Sequence, residues 1–266
     1  MNAFYSKNPI VDLAFNSETR EDIRPLLAAT SGRLRIGKQQ RVLCLGYLLV
    51  LLLATGCKQE TLFKSNFDAN VVNQPPAQAQ AIGTVNVDGP AGSVLVVPAP
   101  PTLTGKWVQI SRPNGPALCG LQGNLIKVPS DGTYVFSTVL FIPAGTGLAS
   151  VQFEPVGTPV TNYFNGFLHL DFMQDNRVRI DDDDSTKFGT FPRGQPFIVQ
   201  VTLNINASSP SAHIILSGAG ASGDANRNII PALRPKAQQF GAVRLWMGFP
   251  FTGPYDATNI VVTRNT

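Results

Sequence analysis

The sequence predicts an all-β fold, and three observations predict it. From about residue 82 onward, short apolar runs alternate with turn residues, the spacing of strands in a sandwich or barrel. The composition favours strands and turns, with 24 Gly, 21 Pro and only 3 Met in 266 residues. No long stretch repeats its apolar residues at helical spacing. The one helical candidate, "PALRPKAQQF", is short and interrupted by Pro235.

The expected strands follow in order: Thr84–Val87, Ser93–Val97, Trp107–Ser111, Asn124–Val128, Thr133–Ile142, Ala149–Pro155, Gly166–Met173, Arg177–Asp181, Lys187–Phe191, Phe197–Asn206, Ala212–Ser217, Ala242–Gly248 and Asn259–Thr263. Gly, Pro, Asn and Asp mark the turns between them, as in "PSDG", "IPAGTG", "MQDN", "FPRGQ", "NASSPS" and "PFTGPYD". In "FIVQVTLNIN", Val199, Val201, Leu203 and Ile205 share one face and Gln200, Thr202, Asn204 and Asn206 the other, the alternation of a sheet with one wet side. The stretch "FLHLDFMQDNRVRI" reads as a hairpin. Leu168, Leu170 and Phe172 must share a face with Val178 and Ile180, because register follows the apolar set. A three-residue loop Gln174–Asn176, with Asn176 left-handed, achieves this. It places Asp171 opposite Arg179 and His169 opposite Asp181.

The run "GTYVFSTVLFIPAGTGLASVQFEP", then "GFLHLDFMQDNRVRIDD", "TFPRGQPFIVQVTLNINASSPSAHIILSG" and "FGAVRLWMGFPFTGPYDATNIVVTR" resembles concanavalin A-like, laminin-G-like jelly rolls. The resemblance covers roughly residues 130 to 264 and implies a two-sheet antiparallel jelly-roll sandwich. Such folds host many functions, so it speaks to architecture before activity.

The N-terminal part speaks of address. "LLVLLLATGC" closes a run from Val42 to Ala54, too short for a comfortable membrane-spanning helix but of the length of a signal h-region. Arg33, Arg35, Lys38 and Arg41 precede it as a basic n-region. Leu53-Ala54-Thr55-Gly56-Cys57 resembles the lipobox of bacterial lipoproteins, which implies that Cys57 is acylated and becomes the first mature residue. Residues 1–32 then form a spurious or disordered leader, with initiation expected near Leu34 or Ile36. Residues 33–56 are the signal peptide, 57–81 a lipid-anchored tether ending "NVVNQPPAQAQA", and 82–266 the β-sandwich. Lys58 after the cysteine points to the outer membrane of the envelope by the sorting rule of that family. The chain is read as a monomer.

The first 57 residues hold seven of the 21 Lys/Arg and four of the 17 Asp/Glu, so the remainder carries a formal charge of only +1. That charge, without a Lys/Arg cluster, sets nucleic acid aside as a partner. Cys119 is the sole cysteine after Cys57, and it reads as a buried, inert thiol.

A glycosidase needs two carboxylates flanking the scissile bond. After Cys57 the only glutamates are Glu60 in the tether and Glu154, which reads as a rim residue at a strand end. Hydrolysis by that route is therefore not the expectation. Asp171 and Arg179 read as a cross-strand ion pair, and His213 as a wet-face residue. The run Asp181, Asp182, Asp183 and Asp184 is either a solvated turn or a site for calcium, which prefers oxygen ligands. In "AVRLWMG", Val243, Leu245 and Met247 alternate against Arg244 and Trp246. If the first set is core, Trp246 lies beside Arg244 as a sugar-stacking platform; the reverse assignment buries it. Trp107 and Tyr163 are weaker candidates. The expectation is an envelope lipoprotein, anchored to a membrane at Cys57, whose sandwich binds glycan or another envelope polymer without catalysis. The ligand-binding candidates are Trp246, Arg244, His169, Asp171 and Arg179. A polysaccharide hydrolase or lyase and a structural or adhesive module are the alternatives.

Overall fold

The computed structural model describes residues 59–112, 118–127, 132–155, 166–205, 209–229, 239–248 and 250–265. The leader, the signal peptide, Cys57, Tyr163 and most of the helical candidate lie outside the described residues. Within them the regular elements are fifteen strands: β1 (Gln59–Ser65), β2 (Thr84–Asp88), β3 (Val94–Pro98), β4 (Lys106–Arg112), β5 (Cys119–Asn124), β6 (Gly132–Phe141), β7 (Ala149–Pro155), β8 (Leu168–Phe172), β9 (Val178–Ile180), β10 (Asp183–Phe188), β11 (Pro196–Ile205), β12 (Ser211–Ser217), β13 (Gly223–Asn228), β14 (Phe240–Met247) and β15 (Gly253–Asn265). They form two antiparallel sheets. One runs β13-β12-β11-β6-β15-β4-β3, with β1 also paired to β15; the other runs β10-β9-β8-β7-β14-β5-β2. The protein is the all-β, two-sheet antiparallel sandwich of jelly-roll type that the sequence predicts.

Period-two alternation in the sequence places the core. Val199, Val201, Leu203 and Ile205 on β11 are buried, while Gln200 and Asn204 are exposed on the other face. The inner faces meet through edge-to-face aromatic pairs, Tyr134 with Phe240 at 5.2 Å and Phe136 with Phe153 at 5.1 Å. Tyr255 on β15 crosses the core and donates its hydroxyl hydrogen to the carbonyls of Ser150 and Trp246, both at 3.2 Å. Its burial is therefore satisfied, and it links the two sheets. Cys119, the first residue of β5, is fully buried.

The β8–β9 hairpin has the expected register: Leu170 faces Ile180, Asp171 faces Arg179 and Phe172 faces Val178, with Asn176 left-handed at φ 63°. The His169 carbonyl accepts from Asp181 N at 2.8 Å, and His169 N donates to Asp181 Oδ1 at 3.0 Å, so the two are the expected neighbours.

Several expectations are corrected. The segment from residue 59 is not a tether. Leu62 and Phe63 on β1 are fully buried, and β1 pairs with β15 from Gln59↔Asn265 to Ser65↔Ile260. Residues 66–81 pack after it: Phe67 is buried, and Asn70 accepts from Ala77 N at 2.6 Å. The strand expected at Asn124–Val128 ends at Asn124, and that expected at Lys187–Phe191 spans Asp183–Phe188. The last strand is far longer than Asn259–Thr263, and it continues past a bulge between Thr258 and Val261.

Candidate functional site: the outer face of the seven-stranded sheet

The residues that bury Val151, Phe153, Leu168, Leu170, Val243 and Leu245 in the core must turn their neighbours to the opposite face. Strand pairing aligns those neighbours in rows. One row is Asn86, Gln122, Arg244, Gln152 and His169. The next is Asp88, Gly120, Trp246, Ser150, Asp171 and Arg179. A third holds Thr84, Asn124, Ala242 and Glu154. All five candidate ligand residues, Trp246, Arg244, His169, Asp171 and Arg179, thus fall in two adjacent rows of one polar face.

The face is buried on one side and open on the other. Ser150, Gln152, Glu154, His169, Asp171 and Arg244 are buried, whereas Thr84 and Asn86 are exposed and Asp88, Gln122 and Asn124 half-buried. Asp171 organises the buried side. Its Oδ1 accepts from Ser150 Oγ at 2.7 Å and lies 3.0 Å from His169 Nε2; its Oδ2 accepts from Arg179 Nη2 at 2.8 Å. Burial pushes the Asp171 carboxyl up, but the bonds from His169, Ser150 and Arg179 outweigh it and hold it below the usual carboxylate range. Arg244 reaches Asp88 at 2.5 Å and Glu154 at 3.8 Å. Burial pushes Glu154 up to about 8, opposed by Arg244 and reinforced by Asp88, so near neutral pH Glu154 is a protonated acid. Both its carboxyl oxygens and the indole Nε1 of Trp246 are buried without a hydrogen bond among the described residues.

Trp246 resolves the alternative left by the sequence. It lies on the outer face, as the alternation of Val243, Leu245 and Met247 requires, yet only 8% of it is exposed. His169 stacks on it at 5.5 Å and 23°. Gly120 makes room for it, since a Cβ there would sit 2.7 Å from the Trp246 Cβ. Of the two alternatives, Trp246 takes the outer face of the first and the burial of the second, so it is not an open stacking platform. Trp107 is also buried, with Nε1 donating to Thr104 O at 3.3 Å.

The four consecutive aspartates do not converge. Asp181 and Asp182 take φ of 56° and 60° and turn the chain from β9 to β10, a left-handed pair that Asp tolerates. Asp182 and Asp184 pair with Arg179, Asp184 also with Lys187, and Asp181 lies 3.6 Å from Arg227. These carboxylates are neutralised by side-chain cations. Among the described residues no group of three or more His, Cys, Asp or Glu side chains is placed to hold a metal ion. His213 pairs with Asp224 at 2.8 Å on the outer face of the other sheet.

Glu154 is the site residue the sequence misplaced. It lies at the strand end, next to Pro155, but it is fully buried rather than exposed on the rim. The alternation of Ser150, Gln152 and Glu154 against Val151 and Phe153 was the available signal. Glu154 and Asp171 do not form a hydrolytic pair. Glu154 stands four residues along β7 from Ser150, which faces Asp171, a separation of roughly 13 Å, beyond the span of paired glycosidase carboxylates.

No protein-family model and no curated protein matches the chain. Solved structures resemble it in fold. Arcelin-5, a lectin-like defence protein from Phaseolus vulgaris, superposes with a TM-score of 0.48 at 10% identity, covering 77% of this chain and 98% of that one. Lectin II from Ulex europaeus gives 0.47 at 12%, covering 79% and 99%. A Bacillus subtilis protein of unknown function with a galectin-like fold gives 0.47 at 9%, covering 78% and 98%. Likeness at this level brings no ligand to this chain.

Proposed function

We propose that the protein is an envelope lipoprotein, acylated at Cys57, whose sandwich binds a glycan without catalysis on the outer face of the seven-stranded sheet. The observation that supports the binding reading is the composition of that face: polar from β2 to β9, with the accessible side chains Thr84, Asn86, Asp88, Gln122 and Asn124. Amide and carboxylate groups both match sugar hydroxyls, which donate and accept at once. Buried Arg244 lies beside this strip and pairs with Asp88, and Gln122 donates from Nε2 to Asn124 Oδ1 at 3.2 Å within it. The lipobox sequence and the basic segment before it support the anchor, and Lys58 supports an outer-membrane address. Glycan-array binding followed by calorimetry tests the reading. Asn86→Ala with Gln122→Ala, at accessible positions, should cut affinity at least about tenfold, the equivalent of about 1.4 kcal/mol, while leaving the thermal midpoint unchanged. If the unaltered chain binds no glycan on the array, the reading fails.

A further inference from the structure

We infer that one end of the sandwich, formed by Gln59, Glu60, Ile126, Lys127 and Asn265, rests directly on the lipid surface that holds Cys57. This inference depends on the acylation of Cys57 proposed above, and it adds an orientation and a contact surface to it. β1 begins at Gln59, so only Lys58 separates the acylated residue from the folded sheet. Two peptide links reach at most about 7 Å, about the thickness of one headgroup layer. The expected tether would have let the domain tumble, whereas residues 59–65 are paired to β15 along their whole length and 66–81 pack behind them.

The surface beside that starting point fits a bilayer. Ile126 is exposed at 56%, and among the described residues only Val71 is a more exposed large apolar side chain. Its amide donates to Leu62 O of β1 at 2.9 Å, which ties the loop after β5 to the first turns of the anchored strand. Lys127 Nζ contacts Glu60 Oε1 at 2.5 Å and stays half-exposed. Arg264 pairs across from Glu60. An apolar tip next to the half-exposed Lys127 suits the boundary between acyl chains and anionic headgroups. At the other end, the Gln174–Asn176 turn of the β8–β9 hairpin points away, since β15 runs from Asn265 to Gly253 over roughly 40 Å.

The test uses the full chain, expressed in a bacterium that processes lipoproteins and reconstituted into phosphatidylethanolamine–phosphatidylglycerol vesicles. Ile126→Cys and Asp175→Cys, both at exposed positions, each carry an environment-sensitive fluorophore; buried Cys119 does not react. Headgroup spin-labelled lipid should quench the label at 126 several-fold more than that at 175, and aqueous iodide should show the reverse order. Mass spectrometry of the N-terminal peptide reads Cys57 separately. An unmodified Cys57 overturns the anchor and this contact together. An acylated Cys57 with both labels equally open to iodide overturns the contact alone.

Discussion

At the scale of single residues, the charges that matter most are those that replace missing backbone partners. Arg193, in the "FPRGQ" turn, donates from Nη1 to the carbonyls of Pro143 and Thr146 at 3.1 and 2.9 Å, from Nη2 to Met173 O at 2.9 Å and from Nε to Asn176 Oδ1 at 2.8 Å. Three turns that the sequence marks separately are joined by one guanidinium, which also lies 5.6 Å over the Phe191 ring. A lysine keeps the charge but cannot present this fork. Arg193→Lys should therefore lower the unfolding free energy by about 2 kcal/mol, read from the urea midpoint at unchanged slope. A lysine variant with the midpoint of the parent would mean that the turns hold their places without the shared donor.

At the scale of elements, legibility followed the strength of alternation. The β8–β9 hairpin could be read to the residue because Leu168, Leu170, Phe172, Val178 and Ile180 admit one register and Asn176 one loop. β13, "GDANRN", has no apolar side to read; it is an edge strand with alternating exposure. β5, "CGLQGN", was displaced in the sequence reading because Gly120 and Gly123 depress strand propensity, and the apolar pair Leu125-Ile126 drew the assignment forward. Those glycines exist for their neighbours: a Cβ at Gly123 would lie 2.7 Å from Phe63 Cζ. β1 was hidden because it offers only Leu62 and Phe63 as a signal and sits among polar residues. The polar face was legible in part, through Arg244 and Trp246, but its depth was not, since burial of a polar strand face depends on what packs around it. The pairing of Phe63 with Gly123 makes β1 part of the core. Phe63→Ala should cost about 3–5 kcal/mol in chemical denaturation, while a true tether would register no change.

At the scale of the whole molecule, the buried carboxyls set the response to pH. Asp171 is held below its usual range, so its contribution is present above the unfolded carboxylate value and is lost as pH falls through its folded value. Glu154 and Asp256 act in the opposite sense. Burial raises Glu154 to about 8 and Asp256, despite a bond from Gln109 Nε2 at 3.0 Å, to about 6. For a carboxyl with a raised folded pKa, the protonated form fits the fold. Its contribution is complete below the unfolded value near ~4 and declines as pH rises through the folded one. Stability should therefore peak on the acid side, near pH ~4–5, rather than in the common range from ~5 to 8. Between about pH 6 and 8 Glu154 alone should impose a slope near 1.4 kcal/mol per unit. Glu154→Gln should flatten that interval, and Asp256→Asn should roughly halve the slope below it, where both carboxyls act, in denaturation of the compact unit Cys57–Thr266 at stepped pH. If the parent were already flat from pH 6 to 8 and matched Glu154→Gln, Glu154 would be ionised in the fold. The polar face would then carry a full negative charge against Arg244, and the buried pair would be a salt bridge rather than a cation beside a neutral acid.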